Sequence, residues 1–256
     1  MHRCLSLILL LTFLLAVPLS AQSAQTGAQN TPQALKATYD QAMIAKDWPA
    51  AVAAAQQLVD ANATSVNLLL LGNAQLYATT GKPDTGPMEV SLATYERALA
   101  VAEQEKPTLR PPDKAQLDQA QALQAWKDGI AKIYVGRGNA LLKLKRTADA
   151  IDSYNRAAEL SSTPGKAYFN ICAVLYNTGD MENGPPACRK AAAADPTNAN
   201  AWFVLGSLLF ANAAIDSNRK VAISEEGLAA LSKYIELAPD GPHASDVKAM
   251  LDMCAK

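Results

Sequence analysis

The stretch from Ala131 to Asn198 coincides with itself when it is shifted by 34 residues. Tyr134 falls on Tyr168, and Tyr168 falls on Trp202. Gly138 falls on Cys172 and then on Gly206. Leu141 falls on Leu175 and then on Leu209, and Ala157 falls on Ala191. A period of this size marks a supersecondary unit that cannot bury its apolar face alone. Neighbouring units must stack and share one continuous core. No short motif in the chain constrains its architecture as much.

The units are helical. Alanine is abundant, aromatic residues make up only 6% of the chain, and no apolar–polar alternation lasts beyond a few residues. Leu35, Tyr39, Ala42 and Met43 recur at helical spacing. Further helical patterns cover 49–61, 66–80 and 88–105, with a Gly- and Pro-punctuated break at 81–87. From 113 to 145 the pattern continues through Gly129, Gly136 and Gly138, each costing about 1 kcal/mol relative to alanine. This predicts either one long helix or two joined near Gly129. Patterns at 199–212, 224–237 and 243–254 complete the chain, with a polar insertion around 216–219. Within the central unit, Tyr134, Leu141 and Tyr154 are large enough to fill the space between helices. Gly138, Ala150 and Ala157 are small enough to let backbones approach.

These residues resemble the tetratricopeptide repeat (TPR). The resemblance is carried by Tyr134, Gly138, Asn139, Leu141, Ala150, Tyr154 and Ala157 in one copy. In the next it is carried by Tyr168, Cys172, Gly179-Asp180, Ala191 and Asp195-Pro196. The last copy keeps Trp202, Leu205, Gly206 and Leu209 but inserts about nine residues between its helices, beyond the ~34-residue family length. Two looser pairs precede them, one from Leu35 to Asn62 and one around Leu68, Leu71, Gly72, Asn73, Tyr95 and Ala98. The resemblance implies an all-α fold: an α-solenoid of about five TPR-like helix pairs with a C-terminal capping helix. It also implies a concave surface, lined mainly by first helices, that holds extended peptides or partner helices.

One familiar site of this family grips a peptide carboxylate with Lys, Asn and Arg. Asn139 and Asn170 match that pattern. Val135, Asn200 and Val204 stand where cations are needed, so the charge-assisted donors are incomplete. The resemblance therefore implies a milder groove of Lys132, Val135, Asn139, Leu142, Lys166, Phe169, Asn170, Ala173, Asn200 and Phe203. The same residues also read as ordinary solvated helix faces.

Chemistry beyond binding has little support. His2 and His243 are the only histidines, and His243 reads as a helix cap. No phosphate-binding glycine loop, zinc or haem motif occurs. No catalytic residue, metal site or cofactor is expected. Cys172 and Cys188 lie on the two helices of one unit, equidistant from a turn at Gly179-Asp180. Either a disulfide or two buried thiols fits that placement. Cys254 is left over and is expected to be exposed.

The N-terminus reads as a secretion signal. Met1-His2-Arg3 is positive, the apolar run from Leu5 to Leu19 is short, and Leu19-Ser20-Ala21 offers a cleavage site after Ala21. An uncleaved anchor is the alternative. Cys4 precedes the apolar run, which does not suit a lipid-attachment site. Cleavage removes Arg3 and shifts the net charge from −1 to −2. Such a near-neutral balance has no electrostatic footprint for nucleic acid. No later stretch approaches a membrane span. The expected organisation is a signal at 1–21, a flexible linker at 22–31 and divergent repeats at 32–105. A connector and extended helix follow at 106–130, then repeats at 131–239 and a cap at 240–256. The expected function is an exported scaffold, periplasmic or extracellular, for a protein or peptide partner. The alternative is a small-ligand or enzymatic helical domain with its pocket on the concave face. Self-association through terminal helices is a third reading.

Overall fold

The computed structural model describes residues 31–82, 84–107, 116–215, 217 and 220–254. The signal segment and most of the linker lie outside these residues. So does most of the proline-bearing connector.

Eleven helices form five antiparallel pairs and a cap among the described residues. The first pair is α1 (Pro32–Ala45) and α2 (Trp48–Ala61). The second is α3 (Ser65–Ala78) and α4 (Gly86–Gln104). The third is α5 (Gln116–Lys143) and α6 (Thr147–Leu160), and the fourth is α7 (Gly165–Thr178) and α8 (Gly184–Ala194). The fifth is α9 (Ala199–Ala211) and α10 (Glu225–Leu237), and α11 (Ala244–Met253) is the cap. This is the expected all-α solenoid.

Local chemistry sets the boundaries. Side chains of Thr31, Asp47, Thr64, Asn198 and Ser224 accept hydrogen bonds from the first turns of α1, α2, α3, α9 and α10. Lys46 and Lys145 end α1 and α5 in the left-handed region, with φ of 57° and 60°. Gly179 does the same after α7 at 70°. Pro185 and Pro186 stand at the start of α8, where a missing N–H costs no intrahelical bond.

One register position recurs in the second to fifth pairs. Gly72 on α3 faces Tyr95 on α4: a Cβ at Gly72 would lie 2.8 Å from the ring. Gly138 on α5 faces Tyr154 on α6 at 2.5 Å, and Gly206 on α9 faces Leu231 on α10 at 2.6 Å. In the fourth pair the same position holds Cys172 and Cys188, joined as a disulfide with Cα atoms 4.7 Å apart. In the first pair, which has no glycine in either helix, Tyr39 on α1 and Ala55 on α2 are both buried. Tyr95 also lies against Gly136 of α5, where a Cβ would collide with its ring. That ring therefore locks the second pair to the third.

α5 runs unbroken through Gly129. Its first half is not part of the repeat and packs across the ends of two neighbours. Trp126 Nε1 donates to the Ala102 carbonyl at 2.7 Å, and Gln124 Nε2 donates to the Leu160 carbonyl at 3.2 Å. The core divides at α7. Ile171 and Val174 join the cluster of the first three pairs, whereas Cys172 joins the cluster of α8 to α11.

Three local expectations are corrected. A short hairpin, β1 (Ala214–Ile215) and β2 (Val221–Ala222), occupies the insertion between α9 and α10. Its two-residue strands are too short to show a period. Cys254 is buried, because residue 254 bridges to Val221 and its thiol donates to the Met250 carbonyl at 3.1 Å. His243 stands at the start of α11, but its side chain makes no cap bond. Its ring stacks on Phe203 instead, with centroids 3.9 Å apart. No helix among the described residues is long and apolar enough to cross a membrane.

Two glycines on α5 should respond oppositely to the same substitution. Gly138→Ala drives a methyl into Tyr154 and should cost about 1–3 kcal/mol in urea unfolding. Gly129 has nothing within 4 Å of a built Cβ, so Gly129→Ala should gain up to about 1 kcal/mol from helix propensity. Equal effects would contradict the register argument. Cys172 and Cys188 close a 16-residue separation. Reduction, or replacing both by alanine, should therefore lower stability by about 3 kcal/mol. A denaturation midpoint indifferent to reductant would contradict the disulfide.

Candidate functional site

A groove of about 480 Å³ crosses α3, α5 and the start of α7. Leu69, Asn73 and Tyr77 line it from α3. Asp128, Lys132, Val135 and Asn139 line it from α5. Ser161, Ser162 and Thr163 in the α6–α7 turn and Lys166 on α7 close the far end. Taken by repeat position, the lining runs diagonally, from the C-terminal half of α3 to the N-terminal end of α7.

The asparagines are set by the residues before them. With glycine at 72 and 138, the Tyr95 and Tyr154 rings lie close against the first-helix backbone. Their hydroxyls then reach the neighbouring residue. Tyr95 donates to Asn73 Oδ1 and Tyr154 donates to Asn139 Oδ1, each at 2.7 Å. Burial pushes both tyrosines far above their ordinary pKa, so both stay protonated donors. The carboxamide of Asn139 is thereby oriented, and its Nδ2 makes no hydrogen bond among the described residues. Where the facing residue has no hydroxyl, the asparagine is gone. Ala173 follows Cys172 and Ser207 follows Gly206. The Ser207 hydroxyl is buried without a hydrogen-bond partner among the described residues.

The charges in the groove are unequal in availability. Asp128 accepts from the Ser162 N–H at 2.6 Å, the Ser162 hydroxyl at 2.8 Å and Gln124 Nε2 at 3.2 Å. The Ser162 N–H chiefly holds its carboxyl below the usual aspartate range, with the Ser162 hydroxyl, Gln124 and nearby Lys132 adding to it. The carboxylate thus pins the α6–α7 turn to α5. Lys132 and Lys166 are exposed, and neither forms an ion pair among the described residues. At the opposite end Tyr77 is 49% exposed and stacks on Trp48, with centroids 5.5 Å apart. No cluster of His, Cys, Asp and Glu among the described residues could hold a metal ion.

Residues 131–164 match the family model of the tetratricopeptide repeat. The chain superposes on YrrB, described as a TPR protein with an unusual peptide-binding site. That match has a TM-score of 0.50 at 16% identity, covering 89% of this chain and 97% of YrrB. It superposes on MamA with a TM-score of 0.52 at 16% identity, covering 83% of this chain and 93% of MamA. The fold is that of a TPR solenoid. No curated protein matches the chain by sequence.

In TPR terms, the groove spans the first helices of the second, third and fourth repeats. It contains Lys132, Val135, Asn139 and Lys166 of the residues expected to line it. Asn170, Ala173 and Asn200 lie outside it. Leu142 packs against the core of the first three pairs, and Phe169 packs against that of the last two. Phe203 is buried, with its ring stacked on His243 at the start of the cap. The α3 contribution and the Asp128–Ser162 clamp were missed. A 66-residue coincidence of Gly72-Asn73 with Gly138-Asn139 was the available signal for the first. Nothing in the local pattern marked the second.

The clamp makes stability pH-dependent. A carboxyl with a depressed folded pKa stabilises above its unfolded value, near about 4, and loses that contribution as pH falls through the folded value. Asp128→Asn should therefore unfold more easily than the wild type at neutral pH. The gap should close as the pH drops below the ordinary aspartate range. A gap of the same size in acid and at neutral pH, read by urea titration, would exclude the clamp.

Proposed function

We propose that this chain is an exported scaffold that holds an extended protein or peptide segment in the groove between α3, α5 and α7, and that it is a binder rather than an enzyme. One observation carries the reading. Tyr77, Lys132 and Lys166 are exposed along the groove, and Asn139 is fixed with Nδ2 uncommitted beside them. An extended segment has backbone carbonyls to accept those N–H groups and side chains to contact the ring and the cations. A small-molecule site is expected to enclose most of its ligand, and this rim is exposed. The peptide site named for YrrB, on a similar fold, supports the same reading. Export is supported by the secretion-signal pattern of residues 1–21 and by the Cys172–Cys188 disulfide, a bond typical of oxidising compartments.

Photo-crosslinking residues placed at Tyr77 or Lys166 in the host cell should form adducts with protein. The same residue at exposed Glu159 should not. Adducts from all three positions alike, or from none, would contradict the groove. Fractionation tests export: the protein outside the cytoplasm should begin at Gln22, and intact chain retained in the cytoplasm would overturn that part.

A further inference from the structure

We infer that the segment held in the groove is acidic, with a carboxylate side chain between Lys132 and Lys166 and an apolar or aromatic side chain at the Leu69–Tyr77 end. This rests on the peptide-binding reading above and names the chemistry of the partner.

Charge complementarity argues for it. The one carboxylate lining the groove, Asp128, already accepts three hydrogen bonds and faces the α6–α7 turn. The two lysines are left with exposed ammonium groups and no ion pair among the described residues. Elsewhere, exposed cations close to carboxylates do pair: Arg189 meets Glu226 at 2.6 Å, and Lys36 meets Asp40 at 2.6 Å. The groove thus carries two lysines against one carboxylate, and that carboxylate has its oxygens committed to the α6–α7 turn, so an excess of positive charge faces an incoming segment. A basic segment would meet like charge, and a neutral one would leave Lys166 without compensation and Lys132 with only Asp128 nearby. The number of cations is too small to follow a nucleic-acid backbone, whose binding rests on many phosphate contacts.

The two ends of the groove differ, which adds direction. Trp48 stacks against Tyr77 and holds that ring in place, with Leu69 beside it. Between the ends, Asn139 Nδ2 is placed to donate to a backbone carbonyl. An extended chain advances about 3.3 Å per residue, so a few residues separate the apolar side chain from the acidic one.

Selection of a displayed random decapeptide pool on the mature chain, residues 22–256, tests this. Enriched peptides should carry an excess of Asp and Glu next to Leu, Phe, Tyr or Trp. On the Lys132→Glu, Lys166→Glu double variant the excess should turn to Lys and Arg. A synthetic winner, capped at both termini, should bind at least tenfold more tightly than its Asn/Gln counterpart at low salt, and the difference should shrink at high salt. The capped ends separate a side-chain carboxylate from a chain terminus. Enrichment that depends on Tyr77 but shows no acidic excess would overturn this inference and leave the groove reading standing. Binding lost on capping would also overturn it. No enrichment at all would overturn both.

Discussion

The structure depends on a close contact at one register position in the second to fifth helix pairs. A small residue on the first helix meets a side chain from the second at a distance only glycine permits, in Gly72–Tyr95, Gly138–Tyr154 and Gly206–Leu231. Helices that approach so closely bury apolar surface of the repeat at that contact. The fourth pair uses the same position differently. There Cys172 and Cys188 replace packing with a covalent bond. Tyr95 extends the principle between repeats, because its second face meets Gly136.

The same contact builds the groove. A ring laid against the first-helix backbone carries its hydroxyl to the next residue, which is asparagine in the second and third repeats. The tyrosine donates, so the Asn139 amide must turn its N–H groups elsewhere. The contact that packs the helices thus also orients the polar groups of the groove. The α5 extension adds the other half of the site by carrying Asp128 to the α6–α7 turn, which positions Ser162 and Thr163 beside Lys132 and Lys166.

Much of this was legible in the sequence because repeats are periodic. The 34-residue spacing locates the central helix pairs, and the resemblance to TPR first helices points to Lys132, Val135, Asn139 and Lys166. The illegible parts are aperiodic. Gly129 leaves one long helix and two joined ones equally open, and the single helix α5 forms with Trp126 and Ile130 packed on either side of that residue. His243 reads as a cap until α11 folds back and its ring covers Phe203. The Asp128–Ser162 clamp joins a residue outside the repeat to a turn, and helical spacing carries no trace of it. Tyr77 stands where the third repeat has Lys143, so aligning repeats hides it.

The central claim is that one groove, oriented by Asn139 and bounded by Tyr77 and the two lysines, is where a partner segment lies. Hydrogen–deuterium exchange of residues 22–256, with and without a peptide selected on them, tests that claim most directly. Added protection should map to the second half of α3, to residues 131–139 of α5 and to residues 161–167. Protection confined to the outer face of α4 and α6, or to α9 through α11, would contradict it.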